Sequence, residues 1–183
     1  YLQPSTSEHF QIVACCMVDD ALEFGGTAAG KYVPTALTVF IHNVNSDNNV
    51  LRQCSSYGLA QIVKHHADAL TSVPGGLGGF MDALMVMVNR EDAQDEDSVG
   101  GTENALFALS VLATSPQYRS SGPTPLPLAQ VEQATSLWLH SMPLKEDELE
   151  AKYCSLRLAE ACEQWDMSVV GPAGSNLPHI FRV

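Results

Sequence analysis

An all-α fold follows from three features of this 183-residue chain. Apolar residues recur at 3- and 4-residue spacings, the helical period, and no stretch reads as a strand. Gly, Pro and short polar runs cut the pattern into segments of helical length. The third feature is repetition. Val13, Leu59, Leu109 and Leu158, separated by 46, 50 and 49 residues, each sit in an amphipathic stretch followed by a break and a second such stretch. A two-helix unit of this period predicts an α–α superhelix, a solenoid of the HEAT or armadillo type with about four helix pairs. The expected units are residues 5–46, 48–90, 100–142 and 145–183, the last incomplete.

Each element has a local reason. The first helix is expected over Glu8 to Phe24, with Phe10, Val13, Ala14, Met17, Ala21 and Phe24 as its apolar stripe. Ser5-Thr6-Ser7 offers N-caps and Gly25-Gly26 ends it. The second, Lys31 to Val44, carries Val33, Leu37, Phe40, Ile41 and Val44, and Pro34 is tolerable in its first turn. The polar run 43–48 forms a turn. The third, Asn49 to Ala69, turns Cys54, Gly58, Leu59, Ile62 and Val63 inward. Gly58 costs about 1 kcal/mol relative to Ala inside a helix, so a close helix–helix contact is expected there. The fourth follows Pro74-Gly75-Gly76 and reads Leu77, Phe80, Met81, Leu84, Met87 and Val88, up to an acidic loop at Glu91 to Asp97.

The fifth helix is expected from Thr102, as N-cap, to Thr114, with Leu106, Leu109, Val111 and Leu112. Ser115 to Pro127, rich in Ser, Gly and Pro, is the longest expected loop. The sixth spans Leu128 to Ser141, and Pro143 separates it from the seventh, Glu146 to Trp165. The acidic first turn of the seventh suits the positive end of the helix dipole. Its inward stripe is Ala151, Cys154, Leu158, Ala161, Cys162 and Trp165. Gly171-Pro172-Ala173-Gly174 breaks the pattern, and Ser175 or Asn176 caps an eighth helix, Leu177 to Val183. Both ends of the chain read as cuts within a longer repeat protein whose neighbouring repeats cover its end faces.

Composition narrows the function. Nine Lys and Arg against 21 Asp and Glu give a formal charge of −12. That disfavours direct nucleic-acid binding and is compatible with basic protein partners, or simply with solubility. The apolar runs are too short to cross a bilayer, so no membrane role is expected, and Tyr1-Leu2-Gln3-Pro4 has no signal-peptide character. Five scattered cysteines lack finger spacing and read as small core side chains in a reducing compartment.

Several stretches, in order and over nearly the whole chain, resemble the C-terminal part of the karyopherin-beta (importin-beta) superfamily, nearest its importin-five branch. They are Met17-Val18-Asp19-Asp20, Leu51-Arg52-Gln53-Cys54-Ser55-Ser56-Tyr57-Gly58-Leu59, Thr102-Glu103-Asn104-Ala105, Trp138-Leu139, Met142-Pro143-Leu144-Lys145-Glu146-Asp147, and Gly171-Pro172 with Asn176-Leu177-Pro178-His179-Ile180-Phe181. The acidic 91–97 loop and the Pro-rich 116–127 loop depart from the family pattern. The resemblance implies a fragment of a long HEAT-repeat superhelix. Such receptors bind cargo on the concave face, Ran-GTP mainly through N-terminal repeats, and Phe-Gly nucleoporins on the convex face, shuttling between cytoplasm and nucleus. A C-terminal fragment would lack the principal Ran site.

No cofactor and no metal site is expected. His65 and His66 point about 100° apart on a helix and cannot share an ion, so they read as surface or groove residues, and Cys15-Cys16 has the same defect. The glycines after Pro74 lack the Lys-Ser/Thr and the preceding strand of a phosphate loop. The acidic loop lacks the Gly and terminal Glu of a calcium loop. Trp138 and Trp165 fit either core or interface anchors, with core favoured by their helical spacing. No nucleophile–base–acid set is legible, so an enzyme is not expected. Candidate contacts for a basic partner are Asp82 and Glu132, on the polar sides of second helices, and Glu91, Asp92 and Asp95 in the acidic loop. The residues alone leave open a HEAT scaffold or adaptor outside transport, and a merely solvated loop.

Overall fold

The computed structural model describes residues 6–118, 122 and 125–182. Among them every regular element is helical, consistent with the HEAT-like repeat fold read from the sequence. The helices are α1 (Glu8–Phe24), α2 (Val33–Asn43), α3 (Asn49–His65), α4 (Ala67–Thr71), α5 (Gly76–Val88), α6 (Val99–Thr114), α7 (Leu128–Ser141), α8 (Glu148–Glu163), α9 (Met167–Val170) and α10 (Leu177–Ile180). Short 3₁₀ turns cover Gly26–Tyr32, Pro116–Tyr118 and Pro172–Gly174. The chain forms two compact units, Tyr1–Ala108 and Leu109–Val183.

In the first unit α3 packs against both α1 and α2. Leu59, Ile62 and Val63 of α3 meet a core that includes Cys15, Leu22 and Phe40, all fully buried. Asn48 caps α3, its side chain accepting from Leu51 N at 3.1 Å. The predicted continuation of α3 to Ala69 fails at His66, where φ −131° and ψ 36° interrupt the helix before α4 restarts it. His66 is buried, and its Nε2–H donates to the Leu22 carbonyl at 2.7 Å. It is an internal tie between α1 and the end of α3, not the surface or groove residue expected. The glycines after Pro74 form a turn: Gly75 has φ +68° and Gly76 N donates to Val73 O at 2.8 Å.

Gly58 is the site of closest approach. A Cβ there would collide with the Asp19 carboxylate and the Phe40 ring, and Phe40 is wholly buried with nowhere to move. Gly58→Ala gains about 1 kcal/mol of helix propensity but overpacks the core at a cost of about 1–3 kcal/mol. We expect a net loss of stability, read as a lower urea midpoint. An unchanged or higher midpoint would show that α1 and α2 retreat freely.

The face of α1 is the main departure from the sequence reading. The expected stripe lies outward, with Phe10, Val13, Met17 and Phe24 at 53, 45, 69 and 77 % exposure. The buried side is the opposite one, Gln11, Cys15, Asp19 and Leu22. Val13, which marks the first repeat, is therefore not a core residue. Helix α6 differs in another way: residues 101–113 are all buried, so it has no solvent face. Thr102 lies inside α6 rather than capping it, and its hydroxyl donates to Ala93 O at 2.8 Å.

In the second unit Trp138 of α7 is fully buried, as are Cys154 of α8 and Val169 and Val170 of α9. Asp147 caps α8, accepting from Leu149 N and Glu150 N at 2.9 and 3.0 Å. Asp166 caps α9 through Ser168 N at 3.0 Å. Trp165 lies beyond the end of α8, with φ +51° and 53 % exposure, so it does not join the inward stripe. The expected eighth helix is the short α10, and the Asn176 side chain donates to Val169 O at 2.9 Å instead of capping it. Within the expected Pro-rich loop, Leu126 N donates to the carbonyl of buried Tyr118 at 3.0 Å. Residues 119–121, 123 and 124, including Pro123, lie outside the described residues.

Candidate partner-binding surface

The acidic loop is built around Arg52. This residue sits in the first turn of α3 and its side chain is 4 % exposed. One guanidinium nitrogen donates to the carbonyls of Ser46 and Asp47 at 2.9 and 3.1 Å. The other donates to Asp92 Oδ2 and Ser98 Oγ, both at 2.9 Å. One buried cation thereby ties the α2–α3 turn to the loop between α5 and α6. Backbone turns complete the loop, from Ala93 N to Arg90 O, Asp95 N to Asp92 O, and Ser98 N to Asp95 O. Asn49 Nδ2 donates to Asp97 O at 2.9 Å.

Asp92 is thus a structural acid. Besides Arg52 it receives Arg90 Nε at 2.7 Å. The hydrogen bond from Arg90 holds its carboxyl below the ordinary carboxylate value, against the opposing effect of burial and with help from the charge of Arg52. The same bond raises the Arg90 guanidinium. Glu91 and Asp95 are exposed, and so are Glu96 and Asp97. The loop fold therefore points its remaining carboxylates outward while spending one on its own frame. Asp82 is exposed on α5 in the same unit.

Glu132 belongs to the second unit. It is exposed on α7 and borders a groove of about 400 Å³ between α7 and the α9–α10 segment. It is the one carboxylate among the groove's lining residues. In the same groove the rings of His140 and His179 stack at 5.2 Å between centroids. Each ring is held by a backbone carbonyl: His140 Nδ1 by Ser136 O at 2.7 Å, and His179 Nε2 by Leu139 O at 2.8 Å. The Ser136 hydroxyl is 3.5 Å from His140 Nδ1, but that nitrogen is committed to the carbonyl and is not poised as a base.

Of the five candidate residues, the structure thus brings Glu91, Asp92 and Asp95 into one loop, places Asp82 on the helix before it, and puts Glu132 in the other unit. The sequence reading missed Arg52. An Arg flanked by Leu51 and Gln53 in a first helical turn looks like a solvated residue, and its acidic partner lies 40 positions away. Among the described residues no group of three or more His, Cys, Asp or Glu is arranged to hold a metal ion. No helix is long and apolar enough to cross a membrane among the described residues.

No family model matches the chain. A sequence similarity does exist. The chain is 22 % identical over 149 residues, 80 % of its length, to a protein of Dictyostelium discoideum described as a probable importin-5 homolog. It spans 13 % of that protein's length. The chain is therefore similar, across most of its own length, to a short stretch of that importin-5 homolog.

Proposed function

We propose that this chain is part of a nuclear transport receptor of the importin-beta family, a binding protein and not an enzyme. In this reading it contributes about four HEAT repeats, residues 5–46, 48–90, 100–142 and 145–183, to a longer superhelix. Basic protein cargo is met by its acidic surface, while Ran-GTP and Phe-Gly nucleoporins act through the full-length receptor as it shuttles between cytoplasm and nucleus. The observation that carries the reading is the similarity to the importin-5 homolog over 80 % of the chain. The charge of −12 and the outward carboxylates Asp82, Glu91, Asp95 and Glu132 support the choice of a basic partner. Asp92 contributes by shaping the loop that presents its neighbours.

The test is retention of basic import-signal peptides on the full-length protein across a salt series, with and without Ran-GTP. Salt-sensitive retention released by Ran-GTP is expected. Asp82→Asn and Glu132→Gln should each weaken retention by roughly 2- to 5-fold, the size of an exposed charge contact. Retention indifferent to salt and to Ran-GTP would assign the repeats to a scaffold outside transport.

A further inference from the structure

Cys16 of α1 and Cys54 of α3 face each other where these two helices pack, their sulfurs 3.5 Å apart. We propose that this pair is a redox modification site: an exposed thiol and its resolving partner that oxidise to a disulfide stapling α1 to α3. The inference is independent of the transport reading.

The geometry selects these two sulfurs among five cysteines. A disulfide needs its sulfurs at about 2 Å and its Cβ atoms at about 4 Å, and these two sulfurs are already in contact. Cys16 is exposed and Cys54 half-buried, so an oxidant reaches the first and the second lies behind it. Cys15 is adjacent in sequence but fully buried, about 100° round the helix from Cys16, and its sulfur is engaged by Asn43 Nδ2 at 3.6 Å. Cys154 is buried and donates to Ser110 Oγ at 3.7 Å. Burial pushes the Cys54 thiol up to about 12, assisted by its bond with Cys16 and the nearby Asp19 and Cys15. Cys54 is therefore the poorer first nucleophile, and the order of events follows.

With a low-molecular-weight disulfide such as glutathione disulfide as oxidant, the Cys16 thiolate attacks one sulfur and expels a glutathione thiolate. The Cys54 thiol then loses its proton to solvent and attacks Cys16 Sγ, expelling the second glutathione thiolate. Two electrons and two protons leave the protein, and one glutathione disulfide becomes two glutathione thiols. The product ties together two helices whose relative sliding would otherwise contribute to flexing of a repeat array.

The experiment is treatment of the folded 183-residue chain with glutathione disulfide, followed by acid quenching, alkylation in denaturant and non-reducing peptide mapping. The expected result is a Cys16–Cys54 linked peptide, with alkylatable thiols falling from five to three. In Cys54→Ser the mixed glutathione disulfide should accumulate on Cys16. In Cys16→Ser, labelling of Cys54 should be slower by roughly 10-fold or more than labelling of Cys16 in Cys54→Ser, in keeping with the burial of Cys54. Far-ultraviolet circular dichroism of both variants checks that they fold. Five alkylatable thiols after treatment of the folded chain, or a Cys15–Cys16 link in place of Cys16–Cys54, would overturn the proposal.

Discussion

Arg52→Ala should destabilise the first unit by about 3 kcal/mol. The guanidinium makes four hydrogen bonds, two of them to the Ser46 and Asp47 carbonyls and two to Asp92 and Ser98. Bonds from a charged donor contribute about 1.5–3 kcal/mol each in favourable cases, but they are not additive. Asp92 keeps Arg90 as a partner when Arg52 is removed, so the pair with Asp92 contributes the smaller share. The larger share comes from the carbonyls and from Ser98, which is buried. Arg52→Met separates the two contributions, since it keeps the apolar stem and loses every bond. Urea denaturation should place Met between wild type and Ala. Amide exchange should quicken in both the 44–48 turn and the 90–98 loop, and faster exchange in one of them alone would contradict a shared frame.

Asp19→Asn should do the reverse, stabilising the chain, and do so only above the acid range. Asp19 is 4 % exposed, and its Oδ1 has no hydrogen-bond partner among the described residues. Burial, with Asp20 and Glu23 adding repulsion, raises its carboxyl from 3.8 to about 8. The folded state therefore binds this proton more tightly than the unfolded one. Stability is fully present below about pH 4, falls as pH rises towards 8, and levels off above it. By pH 7 the cost is on the order of 4 kcal/mol. The isosteric amide carries no such penalty, so the variant should gain stability of that order at pH 7 and lose most of the slope between pH 4 and 8. Equal pH slopes for the two proteins would mean that Asp19 reaches solvent or a compensating cation.

What the sequence disclosed depended on whether its cause was local. Helices α1 and α7 have the ends expected of them, because Gly25 terminates the first and Pro127 and Pro143 bracket the second. Helical spacing found the larger core residues of α2 and α5, Val33, Leu37, Phe40, Phe80, Met81, Leu84 and Met87, while Ile41, Leu77 and Val88 of the expected stripes are only half-buried. The break at His66 could not be read, because periodicity continues through it and its cause is the Leu22 carbonyl 44 residues away. The facing of α1 could not be read either. That helix has an apolar stripe on one side and Cys15 and Leu22 among polar residues on the other, and the packed side is the less apolar one. Residues 101–113 of α6 are buried, the polar Thr102, Glu103, Asn104 and Ser110 included, so burial there has no phase for periodicity to find. The candidate acids were legible as charge; the one that folds inward, Asp92, was not, because its partners Arg52 and Arg90 are identified only by the closed loop.

The outer side of α1 bears on how this chain behaves at the bench. Phe10, Met17 and Phe24 form an apolar strip on a protein that otherwise repels its own copies through its charge. Strips of this kind are normally covered. Dilution is accordingly the natural control axis for any titration of this chain. A binding curve that shifts with protein concentration reports on what touches α1, and one that shifts with salt alone reports on the carboxylates.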